Sequence, residues 1–392
     1  MTVTFRLSPF SRRGFIGSGV AAAAVGAAAG LTQAAERFHG PSLAALARAK
    51  GVRFGSAVGA GPSGSLTGAF EDPRYRQVLI DECGVLVPEN ELKWYVLRPD
   101  AKTFAFERAD RIAAFAKAHD IALRGHTLLW HHPKWFPAWL TAYDFGAGPV
   151  AAKNAEALLV DHIDKVVAHY PQIDSWDVVN ETVDPKDGSI RRTVFSDAMG
   201  QDQTLDVAFH AVRAAAPKAR LVYNDYMGWE AGNEAHRAGV LRLLEGFRKR
   251  GTPVDALGVQ SHLGTEDPAA PGSLGQPQEK AWRAFIDEAT GMGYDLLITE
   301  FDVNDRDLPA DVGVRDAATA SVAKAYLDLM LDYRQTKEVL AWGMVDKYSW
   351  LQGFTPRKDG APQRPTLYGD NYRFKPLREA VAAAFRSAPT RA

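Results

Sequence analysis

From Gly51 onward the chain alternates two hydrophobic rhythms. Short runs of aliphatic and β-branched residues, which suit buried strands, cover residues 52–57, 85–88, 122–130, 174–180, 220–224, 257–260, 296–300 and 339–345. Between them lie segments whose apolar residues recur every three and four positions, as Ile112, Phe115 and Ala116 do within 108–119. Segments 156–170, 205–216, 234–250, 279–292 and 317–333 carry the same period. Eight strand-helix units in series predict an α/β fold, a single-domain (β/α)8 (TIM) barrel. Its strands are all parallel and its chemistry collects at their C-terminal ends. No linker or second composition regime follows Gly51, so one domain spanning 36–392 is expected.

Two of these strands end in glutamate. WDVVNE (176–181) delivers Glu181, and LLITEFD (296–302) delivers Glu300 with Asp302 two residues beyond. Two carboxyls on opposite sides of one bond are what glycoside hydrolysis requires. One, kept protonated, serves the leaving oxygen, and the other acts at the anomeric carbon or activates water, with neither metal nor cofactor. Polar residues and tryptophans gather at the other strand ends as well: Glu89, Asn90 and Lys93; His126 and Trp130; Asn224 and Tyr226; Gln260 and His262; Trp342 and, beyond it, Trp350.

Composition narrows the partner. The 392 residues are 46% hydrophobic and 24% charged, an ordinary globular balance. Lys plus Arg (46) nearly equal Asp plus Glu (47), which removes the basic field that nucleic-acid binding calls for and favours a neutral partner. The single cysteine, Cys83, excludes an internal disulfide and is expected as a small buried hydrophobe. At the N-terminus, Ser11-Arg12-Arg13-Gly14-Phe15-Ile16 precedes an Ala- and Gly-rich run over 17–31. That order of charged, mildly apolar and small residues resembles a bacterial twin-arginine export signal. Residues 1–35 are therefore expected to be a leader, removed on export to the periplasm or medium, rather than a membrane anchor.

Seven stretches together resemble glycoside hydrolase family 10, the retaining endo-1,4-β-xylanases. They are PENELKW (88–94), RGHTLLWH (124–131), WDVVNE, NDY (224–226), GVQSHL (258–263), ITEFDV (298–303) and WGMVDKYSWL (342–351), in the family's order from about Gly51 to Phe385. The resemblance implies Glu181 as acid/base and Glu300 as nucleophile, with the carboxyls roughly 5 to 5.5 Å apart. It makes His262 and Asp302 the support of Glu300, and Asn180 a donor to the sugar's 2-hydroxyl. Glu89, Asn90, Lys93 and His126 become sugar-binding groups on the glycone side, and Trp130, Trp342 and Trp350 an aromatic platform at the scissile bond. Asn224, Tyr226 and Gln260 belong to the same substrate-binding set. The implied partner is β-1,4-xylan or xylo-oligosaccharides acted on by a monomer, with no cofactor and no metal. A β-1,4-glucan or small aryl β-glycoside is the alternative substrate, and a non-catalytic glycan-binding barrel the alternative class.

One stretch departs from the family pattern. The family typically runs Trp-His-x-Gln-x-Pro-x-Trp, whereas this chain continues from Trp130 as His131-His132-Pro133-Lys134-Trp135-Phe136-Pro137-Ala138-Trp139. It is two residues longer and lacks the glutamine. His132 or Lys134 is expected to replace the amide, and Trp135 or Phe136 to cover the glycone side. Three other features are expected to carry no chemistry. His126, His131 and His132 lack the spacing of a zinc site. Gly59 to Gly68 lacks the Lys-Ser/Thr ending of a phosphate cradle and is expected as a flexible loop. Ser261 beside His262 lacks a nucleophile elbow.

Overall fold

The computed structural model describes residues 40–265 and 277–391, so the expected leader lies outside the described residues. The strands are β1 (Arg53–Val58), β2 (Val85–Pro88), β3 (Ala122–Leu123), β4 (Gly125–Trp130), β5 (Ser175–Asn180), β6 (Arg220–Asp225), β7 (Ala256–Val259), β8 (His262–Gly264), β9 (Asp295–Asn304) and β10 (Thr336–Ala341). They pair in the order β3-β2-β1-β10-β9-β7-β6-β5-β4, every ladder parallel, with β8 paired to β9. β3 and β4 are two halves of one stave, parted only by Arg124, and β7 and β8 are likewise parted by two residues. The sheet therefore closes into the expected eight-staved barrel.

The six periodic segments lie in helices Glu107–Ala118, Pro149–His169, Gln201–Ala215, Glu234–Arg250, Glu279–Gly291 and Val312–Asp332. Boundaries move mainly at the N-termini, where capping rather than hydrophobic period decides. Pro149 occupies the first turn of its helix, and the Asp311 side chain accepts the Val314 N–H at 2.9 Å. Two further helices complete the ring. Pro73–Glu82 is capped by Asp72, with Pro73 at its first position, and Pro376–Ser387 follows the last strand. Cys83 ends the first of these, buried as expected.

Three strand boundaries differ clearly from the hydrophobic reading, each for a visible reason. β10 begins at Thr336 rather than Val339 because Glu338 is wholly buried inside the barrel, where Arg53 Nη2 reaches it at 2.7 Å and Arg124 Nε at 3.4 Å. Charge in a strand misled the hydrophobic pattern, since here it is internally paired. The strand stops at Ala341 rather than Val345 because Gly343 takes φ 99°, a left-handed turn natural to glycine. β9 runs past Glu300 to Asn304 because β8 offers it a partner. At the barrel's waist Gly125 is required by close approach: a Cβ there would lie 2.0 Å from the indole of fully buried Trp176.

Candidate active site

The ends of the staves open into a cleft of about 770 Å³. Glu181 and Glu300 stand on its floor, one just past the end of β5 and the other within β9, and a relay of amides joins them. Asn224 Nδ2 donates to Glu300 Oε1 at 2.8 Å and to Asn180 Oδ1 at 3.0 Å. Asn180 Nδ2 in turn reaches Glu181 Oε1 at 3.4 Å, and Gln260 Nε2 donates to that same oxygen at 3.0 Å. Thr299 Oγ1 donates to Asn224 Oδ1 at 2.6 Å, which orients the amide. The backbone is bent to match. Glu181 (φ 56°) and Ser261 (φ 63°) occupy the left-handed region, costly for non-glycine residues and commonest at functional sites.

The two carboxyls are driven apart electrostatically. Burial, reinforced by the charge of Glu300, raises the pKa of Glu181 against the bond from Gln260. Burial would raise Glu300 too, but the His262 hydrogen bond and the neighbouring His126, His262 and Lys93 outweigh it and hold Glu300 low. His262 and Asp302 face each other in the β8–β9 ladder, with Nδ1 and Oδ1 3.0 Å apart, while His262 Nε2 lies 3.4 Å from Glu300 Oε2. Burial works against the imidazolium, yet Asp302 and Glu300 together push the His262 pKa up to about 10. Trp350 Nε1 donates to Asp302 Oδ2 at 2.8 Å, so the aromatic rim and the support of Glu300 are one assembly.

On the opposite wall, Lys93 is almost wholly buried, its Nζ 3.3 Å from Asn90 Oδ1 and 4.6 Å from the Trp130 ring centre. Burial lowers its pKa while Glu300, Glu89 and Glu181 oppose the shift. Glu89 is pushed up to about 7 by burial and by the adjacent Glu91. His126 Nδ1 lies 2.8 Å from Asp177 Oδ2, and Asp177 is also held by both terminal nitrogens of buried Arg124. Trp342 packs edge-on to His126 with ring centres 5.3 Å apart. Tyr226 takes a hydrogen bond on its hydroxyl from Arg191 Nη2 at 2.7 Å.

The structure thus brings the expected site residues together. All line the cleft except Asn224, which stands behind Glu300, and Asp302, which stands behind His262. Two carboxyls in one aromatic-walled cleft, one with its pKa raised and the other with its pKa lowered, have the arrangement that acid-assisted glycosyl transfer requires. The family pattern described as "Glycosyl hydrolase family 10" matches residues 42–384. The chain belongs to glycosyl hydrolase family 10. Among its relatives, endo-1,4-beta-xylanase 2 of Aureobasidium pullulans is 31% identical over 307 residues, covering 77% of this chain and 80% of that protein. Endo-1,4-beta-xylanase B of Thermotoga neapolitana is 28% identical over 311 residues, 79% and 82% of the two chains. The crystal structure of native xylanase 10B from Thermotoga maritima superposes with a TM-score of 0.74 at 28% identity, covering 88% of this chain and 98% of that one. Xylanase 10B from Thermotoga petrophila RKU-1, in complex with xylobiose, gives 0.75 at 27% identity over 89% and 98%.

Against this family 10 frame, the longer loop after β4 bends over the cleft rather than into solvent. His132, Lys134 and Trp135 line it, with Trp135 stacked on Trp130 at 4.9 Å between ring centres and 18° between planes. Phe136 does not cover the cleft as expected. It is only 8% exposed and packs edge-on to Phe195 at 5.9 Å, because a ring with no polar edge gains most from the core. His132 Nδ1 accepts the Lys134 N–H at 3.2 Å, closing the loop's own turn. His131 points away: its Nε2 is 3.0 Å from the Arg191 carbonyl, and burial lowers its pKa to about 4. Ser261 Oγ bonds Tyr326 at 2.8 Å and the Val259 carbonyl at 3.1 Å, outside the chemistry.

Residues missed in the sequence come from the loops and short helices of the rim. The 59–68 loop, expected to be plain and flexible, lends Leu66 and Thr67 to the cleft. It is tied by Gly61 N to the Thr67 carbonyl (2.7 Å) and by Ala60 N to Glu91 Oε1 (2.8 Å). Tyr95, Gly353 and Phe354 complete the rim. Position after a strand was the only signal such residues offered, and it does not say which loop residues turn inward.

Proposed function

We propose that this protein is an endo-1,4-β-xylanase that hydrolyses β-1,4-xylosidic bonds in xylan and xylo-oligosaccharides with retention of configuration. Glu300 attacks the anomeric carbon as nucleophile while Glu181 protonates the leaving oxygen. Glu181 then takes a proton from the water that releases the sugar from Glu300. The observation that carries this reading is the pair of carboxyls joined by the Asn180–Asn224 relay on one cleft floor, in surroundings that raise the pKa of Glu181 and lower that of Glu300. His262, with Asp302 behind it, keeps Glu300 ionised. Asn180 serves the 2-hydroxyl of the reacting sugar, and Glu89, Asn90, Lys93 and His126 bind the glycone. Trp342 and Trp350 restrict the space around the reacting sugar, which suits xylose, a pyranose lacking the hydroxymethyl group of glucose. The names of the Aureobasidium and Thermotoga relatives agree with that choice.

We also propose that residues 1–35 direct export of the folded enzyme by a twin-arginine route. A proton NMR time course on xylohexaose tests the catalytic reading. Internal cleavage with the β-anomer appearing first supports it; an initial α-anomer would exclude retention, and faster turnover of cellohexaose would exclude xylan as the main substrate.

A further inference from the structure

The longer loop holds a cation that the reaction on a neutral polymer does not use. Two ammonium groups line the cleft, those of Lys93 and Lys134. Lys93 is surrounded by Glu89, Glu91, Glu181 and Glu300. Lys134 is exposed, and among the described residues no carboxylate lies within ion-pair distance of it.

Its surroundings are built. The Lys134 Nζ stands 4.6 Å from the centre of the Trp135 ring, and Trp135 is itself stacked on Trp130. A sugar intercalated between the two indoles would need contacts of about 3.5 to 4 Å on each side, roughly 7 to 8 Å in all, and the rings are 4.9 Å apart. The pair is therefore a closed double wall, and no pyranose lies between its rings. What the wall presents to the cleft is an ammonium standing over a half-buried indole whose ring is also stacked on Trp130, and His132 is occupied in bracing the turn. Arg191, which like Lys134 acts on His132, is already engaged with Asp184 at 3.3 Å and with the Tyr226 hydroxyl.

A neutral xylose hydroxyl gains little from an unpaired, well-hydrated ammonium, whereas a carboxylate forms a charge-assisted bond about twice as strong as a neutral one. We infer that Lys134, braced on the Trp135 ring, forms a specificity site for a uronic acid branch carried on the xylan backbone, with the ammonium taking the carboxylate. The site also offsets the repulsion that such a branch would meet from the carboxylates of the cleft floor. This inference rests on the xylanase reading above.

The test compares kcat/KM on three xylo-oligosaccharides of equal backbone length: unbranched, bearing one glucuronic acid branch, and bearing the same branch with its carboxyl reduced to the alcohol. In the full enzyme the acidic branch should be preferred to its reduced form, and the preference should weaken as salt rises. Lys134→Met should lower the ratio of acidic to reduced substrate about fivefold, the size expected of one partly exposed charge pair. Lys134→Arg should largely retain the ratio. Equal rates on acidic and reduced substrates in the wild type, or a ratio unchanged in Lys134→Met, would overturn the inference while leaving the xylanase reading intact. Failure to cleave even the unbranched oligosaccharide would remove both.

Discussion

At the scale of single residues, the site works by giving two chemically identical side chains different environments. As the proposed acid, Glu181 must be protonated to act and has its pKa raised, so activity should fall as pH rises through that value. As the proposed nucleophile, Glu300 must be ionised and has its pKa lowered, so activity should fall as pH drops through it. The pH dependence of kcat/KM should be bell-shaped. In His262→Asn the acid limb should move to higher pH, because burial would then act on Glu300 without its strongest opponent; an unmoved limb would remove His262 from this role. Glu300→Gln should abolish turnover. Glu181→Ala should keep partial activity on dinitrophenyl xylobioside, whose leaving group needs no proton, and azide should rescue that variant alone. His262 also bears on stability. Its pKa is raised in the folded state from 6.5 to about 10, so its contribution is complete below pH 6.5 and is lost as pH climbs through 10.

At the scale of elements, the strands carry charge as well as shape. Arg124, between β3 and β4, holds Asp177 of β5 and reaches Glu338 of β10, which Arg53 of β1 also holds, so four staves are pinned at the barrel's centre. Arg124→Met would leave two buried carboxylates under-compensated. We expect a loss of about 3 to 5 kcal/mol in urea unfolding. Turnover should also fall, since Asp177 holds His126 at the cleft. The β4 loop is the other element with a testable consequence. Shortening residues 131–139 to the family length removes the Trp135 stack on Trp130. It should change kcat/KM several-fold on short xylo-oligosaccharides and much less on polymer, where many other contacts share the binding. Equal changes on both would separate the loop from substrate binding.

At the scale of the whole molecule, the barrel gathers residues as far apart in sequence as Glu89 and Trp350 into one cleft. In the proposed mechanism catalysis uses only protons and carboxylates, so incubation with EDTA should leave the rate on xylan unchanged; a loss restored by zinc or magnesium would contradict it. Among the described residues no helix is long and apolar enough to cross a membrane. Replacing Arg12 and Arg13 by lysines should retain activity in the cytoplasm of the producing bacterium. Normal levels of mature enzyme outside it would rule out the twin-arginine route.

The sequence by itself determined the barrel, the order of its staves and nearly the whole floor of the cleft. Those depend on local hydrophobic period and on polar residues placed where a strand ends, and both are written in consecutive positions. Glu181, Glu300 and the tryptophans could be found because a parallel barrel has one face for all its chemistry. Tertiary structure decided what depends on distant neighbours. Glu338 entered a strand because Arg53 and Arg124 wait inside the barrel, and β9 outran Glu300 because β8 lies beside it. Phe136 turned to the core while Trp135 and Lys134 turned to the cleft, and Phe136 found its partner in Phe195, some sixty residues further along the chain. Periodicity carries no signal for such choices, because the energy that settles them belongs to contacts between residues that meet only after folding.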